Sequence, residues 1–153
     1  AGPAQIDFLP QLTRTNVHVV QGGDMWTNLS EYPFQGGFTS DRMIADKREL
    51  LVRALAAYAL VFRFLSGPGS LDAFKEARRK VLNGKDADFE AGSEFQWRFF
   101  QNAKPFATDL IIPDERLNYV QDLHIRFGVQ QKKLMLSDVA DMSLARDAIA
   151  LLK

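Results

Sequence analysis

Apolar residues recur at helical spacing over most of the chain. From Leu50 they fall at Leu51, Leu55, Tyr58, Phe62 and Leu65, with Val52, Ala59 and Leu60 widening the stripe. Steps of three and four place these positions on one broad helical face. Gly67-Pro68-Gly69 ends the segment firmly. Two starts precede it. Thr39-Ser40-Asp41 supplies side-chain oxygens for a turn through Arg42-Met43-Ile44, and Asp46 with Glu49 forms a capping-box pattern for a second start. Upstream, Phe34 and Phe38 flank Gln35-Gly36-Gly37. Phe34 to Thr39 reads as a short strand, and the glycine pair as backbone passing close to something else.

The same spacing predicts further helices. Leu71, Phe74, Ala77, Val81 and Leu82 form a stripe over Ser70 to Asn83, with Ser70 as N-cap and Gly84 as stop. Residues 85–104 predict a third helical region centred on Glu94 to Asn102, with Ser93 and Gln96 as a capping box and Pro105 as terminator. Its aromatics, Phe95, Trp97, Phe99 and Phe100, lie on two sides, so it is expected to be covered from two directions. Ile111-Ile112-Pro113-Asp114 opens a fourth helix, Glu115 to Phe127, carrying Leu117, Val120, Leu123, His124 and Phe127 and closed by Gly128. Residues 130–136 read as a connector and 137–142 as a turn, and Ser143 caps a last helix, Leu144 to Leu152. Before the long helix, Asn16 to Gln21 is β-branched and partly alternating and predicts a strand. Residues 4–12 stay undecided, since Pro10 opposes both a long helix and a central strand. Two short strands followed by helices predict the α/β or α+β class with a helix-rich C-terminal portion, and α/β is the expectation carried forward.

Composition narrows the chemistry. The 153 residues suffice for one domain with a core. Nineteen basic and nineteen acidic residues give zero formal charge, which argues against general nucleic-acid binding and against an electrostatic membrane anchor. Without cysteine there is no disulfide, thiolate nucleophile or zinc–cysteine site. Only His18 and His124 remain, about a hundred residues apart, a poor basis for a histidine-rich metal site. No phosphate-binding loop, dinucleotide fingerprint or nucleophile elbow is present. The basic cluster Arg78-Arg79-Lys80 suits the last turn of its helix, with a phosphate site as the sharper alternative. The weight falls on binding over catalysis, with no cofactor expected. The loop Gly22 to Pro33 is the place for it. Asp24, Trp26 and Tyr32 put a carboxylate beside amphipathic aromatics, a combination suited to a small cationic or ring-bearing organic ligand. The alternative is that Trp26 and Tyr32 plug the edge of the core.

Several segments together resemble a known family. They are Gly23-Asp24-x-Trp26, Tyr32-Pro33, Thr39-Ser40-Asp41, Arg53 to Tyr58, Pro113 to Leu117, Phe127-Gly128-Val129 and Asp141 to Ala145. In this order they resemble the C-terminal half of solute-binding proteins of ABC importers for sulfonates, nitrate or thiamine-precursor pyrimidines, which have the type II periplasmic-binding-protein fold. The resemblance runs from about Val17 onward, on diffuse motifs, none catalytic.

The resemblance implies a two-lobed α/β clamshell about twice as long as this chain. Residues 1–33 would be a crossover segment and the end of the second lobe, and residues 34–153 the C-terminal part of the first. Ligand would sit near the crossover, which singles out Asp24, Trp26, Tyr32 and Gly37. The implied partners are a small-molecule solute and the membrane permease of an importer, in the periplasm or an extracytoplasmic space, with no nucleic acid. The apolar opening Ile6-Asp7-Phe8-Leu9 and the missing first-lobe strands lead to the expectation of a fragment, which could pair as a homodimer through exposed surfaces. Two alternatives stand beside this one. A same-fold pyrimidine-precursor enzyme would use histidines, which are scarce here. A free-standing helix-rich interaction domain would use Phe95 to Phe100 as its face.

Overall fold

A computed structural model describes residues 9–33, 36–84 and 87–153. Every regular element among them is a helix, and helix accounts for 64% of them. The elements are α1 (Leu9–Arg14), α2 (Met25–Asn28), α3 (Asp41–Ser66), α4 (Leu71–Leu82), α5 (Ala87–Ala103), α6 (Asp114–Arg126), α7 (Leu136–Val139) and α8 (Ser143–Ala150). The fold is therefore all-α, which overturns the α/β expectation and, with it, the partial periplasmic-binding-protein fold.

The strand expectations fail for physical reasons. Asn16 takes a left-handed conformation (φ 59°) inside a turn closed by Thr15 and Val17 N–H groups donating to the Leu12 carbonyl. Residues 17–20 then run irregularly with Val17, Val19 and Val20 exposed. β-branching favours a pleated, half-buried surface, and among the described residues no neighbouring strand supplies the ladder. Phe34 and Gln35 lie outside the described residues; residues 36–40 are irregular, and Phe38 is 99% exposed.

The chain divides into two compact units, each assembled from two separate stretches. The first takes Ala1–Gly23 and Val61–Phe106. In it α5 packs against both α1 and α4. Its interior is aromatic. Phe62 stacks on Phe106 at 4.8 Å, Phe100 meets Phe106 at 4.8 Å, and Phe74 approaches Phe100 edge-on at 5.6 Å. Such pairs add to the area they bury because ring edges and faces carry opposite partial charge. Phe99 and Phe100 are half-buried in these contacts, and of the aromatic run Phe95 is the exposed one.

Two caps differ from expectation here. Ser70 precedes α4, but its hydroxyl makes no cap bond; it donates to the Gly67 carbonyl at 2.9 Å. Ser93 sits within α5 and donates to the Phe89 carbonyl one turn back at 2.7 Å. Helix α4 stops on Asn83 in the left-handed region rather than on Gly84. Its last turn is also less buried than the stripe predicts, since Val81 and Leu82 are exposed.

The second unit takes Asp24–Leu60 and Ala107–Lys153. Its core joins Val52 and Ala56 of α3 to Leu144 and Ala148 of α8, with Ile44, Leu51, Leu55, Leu110 and Leu152 against it. The two alanines let the helices come close, and the larger side chains close the sides. Arg48 pins the same contact, donating to Asp147 at 2.5 Å and to Ser143 Oγ at 2.9 Å. The double start legible in the sequence is visible here. Ser40 Oγ accepts the Met43 N–H at 3.2 Å, and the helix breaks at Lys47 (φ −134°, ψ 27°) before continuing.

Candidate functional site

Asp24 organises the loop that the sequence singles out. It is the N-cap of α2. Its Oδ1 accepts the Trp26 N–H at 3.0 Å and the Thr27 N–H at 3.4 Å, and its Oδ2 accepts the Thr27 hydroxyl at 2.6 Å. The Thr27 hydroxyl, followed by the two backbone N–H groups, holds the carboxyl below its ordinary range although the group is near the surface. The Asn28 side-chain amide donates to the Asp24 carbonyl at 2.7 Å, so the turn is fastened at both ends. Trp26 is half-buried on this turn.

Tyr32 is also half-buried and closes the following turn, its N–H donating to the Leu29 carbonyl at 2.9 Å. Gly37 lies in open surroundings, where an added Cβ would meet nothing within 4 Å; at Gly36 it would make only an ordinary contact with Ile112 at 3.5 Å. The close backbone approach expected at this glycine pair is absent. The structure joins Asp24 and Trp26 through one turn and sets Gly37 on an exposed segment.

Among the described residues, each unit carries a shallow depression with defined walls. That of the first unit, about 420 Å³, is apolar and lined by Leu9, Pro10, Thr13, Arg14, Val19 and Phe95. That of the second, about 270 Å³, is more polar and lined among others by Asp114, Ser137, Met142 and Arg146. Neither takes a wall from Asp24, Trp26, Tyr32 or Gly37. No cluster of acidic and histidine side chains able to hold a metal ion occurs among the described residues.

The basic cluster of α4 is engaged within its own unit. Arg79 grips Glu90 through two hydrogen bonds of 2.6 and 3.2 Å, Lys80 pairs with Glu76 at 2.6 Å, and Arg78 donates to Gln96. The Arg78 guanidinium also lies over the Phe74 and Phe89 rings, at 5.7 and 5.3 Å from their centroids. This favours the bland reading of that cluster over a phosphate site.

One polar residue escaped the sequence reading. Gln121 on α6 is 5% exposed and staples the loop that follows the helix. Its Oε1 accepts the Leu134 N–H at 2.7 Å and the Gln130 amide at 2.9 Å, and its Nε2 donates to the Leu134 carbonyl at 3.3 Å. The available signal was a glutamine beside Val120 within the apolar rhythm of that helix. His124, half-buried on the same helix, lends its backbone carbonyl to the Val129 N–H at 2.8 Å.

No protein-family profile, curated protein or solved structure matches the chain. No helix among the described residues is long and apolar enough to cross a membrane.

Proposed function

We propose that the chain acts by binding, as a solute-binding component of an ABC import system for a small organic solute such as a sulfonate, nitrate, an aromatic acid or a pyrimidine precursor. The observation that carries the reading is the Asp24 turn, which presents Trp26 on a backbone fastened by four short-range hydrogen bonds. A fixed, half-buried indole with Tyr32 a few residues on suits a planar or ring-bearing solute. The family-like segments from Gly23 to Ala145 support an importer context for that turn. The partner is then a membrane permease, and the location periplasmic or otherwise extracytoplasmic. The α/β clamshell forms no part of the proposal.

Thermal melting against a panel of sulfonates, nitrate, aromatic acids and pyrimidines tests it. A solute present at about 100 times its dissociation constant adds roughly 2.7 kcal/mol to the native state. A melt shift with one class, lost in Trp26→Ala, is the expected result. A cooperative melt that no member shifts overturns the reading.

The second reading is a helix-rich interaction domain. One observation favours it: α3 carries Leu50, Tyr58 and Leu60 exposed on its surface while Val52, Ala56 and Ala59 are buried. A helix that is apolar on more than one side is covered from more than one side. The interaction face would then lie on α3, since Phe99 and Phe100 are spent on internal packing.

A further inference from the structure

We propose that the end of α6 and the loop after it, residues 126–135, are a docking surface for the anionic face of a lipid bilayer. Three observations within the second unit carry this. First, the loop holds large apolar side chains outward. Phe127 is 72% exposed, Val129 73% and Met135 72%. Second, that exposure is built in. Gly128 turns the chain in the left-handed region (φ 73°), the Val129 and Gln130 N–H groups both donate to the His124 carbonyl, and buried Gln121 holds Leu134 by its N–H and its carbonyl. The apolar groups sit on a pinned loop and do not collapse inward.

Third, the charged side chains of the segment itself are all basic. The twelve residues from His124 to Met135 contain Arg126, Lys132 and Lys133 and no acidic residue. Lys133 pairs with Asp122 at 2.9 Å. Arg126 lies over the Phe127 ring at 5.9 Å, and among the described residues neither it nor Lys132 has an acidic partner within 4 Å. Zero net charge counts against an anchor spread over the whole molecule, but it does not bear on a local surface of this kind. Three apolar groups of this loop are each exposed over most of their surface. A bilayer interface takes rings and thioethers below the headgroups, with cations at headgroup level. Arg126 and Lys132, without an acidic partner among the described residues, complement an anionic headgroup layer, so the lipid surface is the occupant that fits.

Co-sedimentation of the full chain with vesicles tests the assignment. Phosphatidylcholine vesicles serve as the neutral arm and phosphatidylcholine–phosphatidylglycerol vesicles as the anionic arm. Binding to the anionic arm, falling with added salt, is expected. Arg126→Gln with Lys132→Gln should weaken it roughly 30-fold, about fivefold for each basic residue near an anionic surface. Phe127→Ser with Met135→Ser should also weaken it, while the melting temperature of both double variants stays near that of the parent because the changed side chains are exposed. No binding to the anionic arm overturns the proposal. Equal binding by the parent and both variants overturns it too. Binding instead to an acidic polypeptide, polyglutamate, with none to vesicles, replaces the lipid by a protein surface.

Discussion

The Trp97 indole N–H donates to the Ser70 hydroxyl at 2.9 Å, and Ser70 is only 1% exposed. One small side chain thereby joins α5 to the turn before α4, because the same hydroxyl donates to the Gly67 carbonyl at 2.9 Å. Gln101 adds a parallel tie, its amide donating to the Leu65 carbonyl at 2.7 Å. The helix-ending Gly67-Pro68-Gly69 turn is thus secured from the far side by polar groups that have little water to turn to.

Ser70→Ala should therefore cost about 1–3 kcal/mol, since it leaves an indole N–H and a carbonyl without their partner. Chemical denaturation measures the loss. Trp97 emission, read in a Trp26→Phe background, should change with it. An unaltered midpoint would mean that water replaces the hydroxyl and that the tie is not structural.

Gln121→Met keeps the shape of the side chain and removes its polar end. The Leu134 N–H and carbonyl and the Gln130 amide then lose their buried partner. A cost of about 1–3 kcal/mol is expected, with faster hydrogen exchange at Leu134 as the local signature. Exchange unchanged at Leu134 would show that the Gly128 turn alone fixes the loop.

Gly84→Ala tests the junction into α5. A Cβ at Gly84 would run into the Phe89 ring, itself packed under the Arg78 guanidinium. Overpacking of this kind costs typically about 1–3 kcal/mol. The expected result is a lower melting temperature, relieved by Phe89→Leu in the same chain. A neutral Gly84→Ala would mean that the ring moves freely.

Asp24→Ala removes the cap of α2 and should cost about 1 kcal/mol, with Asp24→Asn retaining much of it. Trp26 emission in a Trp97→Phe background reports the order of the turn and should shift in Asp24→Ala more than in Asp24→Asn. Equal spectra in the two variants would show that the Trp26 position does not depend on the Asp24 oxygens.

Helix positions were legible where apolar periodicity ran long and punctuation was strong. The Gly67-Pro68-Gly69 stop, the Pro113-Asp114 start and the Asp46 second start all correspond to observed features, the last as a break at Lys47. Class was not legible, because Asn16 to Gln21 satisfies local strand preference while a strand also needs a neighbour, and the described chain supplies none. Caps failed where a serine had a better bond than its own helix end. Ser70 and Ser93 match the cap pattern, yet one serves Gly67 and Trp97 and the other Phe89. Of the candidate site, Asp24 and Trp26 could be paired by eye because their link is local. Gln121 could not, because its value comes from a loop that returns to it.

Acid should loosen the α4–α5 contact of the first unit. Glu90 carries a carboxyl held below its ordinary value of 4.5 chiefly by its hydrogen bond from Arg79, with Lys75 adding to it. Glu94 is lowered in the same direction, first by Arg98 and then by Lys75. Lys75 reaches both, at 3.9 Å from Glu90 and 3.3 Å from Glu94. A carboxyl whose folded pKa lies below its unfolded one binds fewer protons when folded. Its contribution is complete above the unfolded value and disappears as pH falls through the folded one. Urea midpoints should therefore hold steady from neutral pH down to about 5 and fall below 4.5. Salt should flatten the fall, because these groups are reached by solvent. Glu90→Gln with Glu94→Gln should lower the midpoint at neutral pH and shrink its acid dependence. If the double variant keeps the full acid slope, the slope comes from other carboxylates. Asp141, lowered by the Ser143 hydroxyl and backbone N–H, is the one to change next.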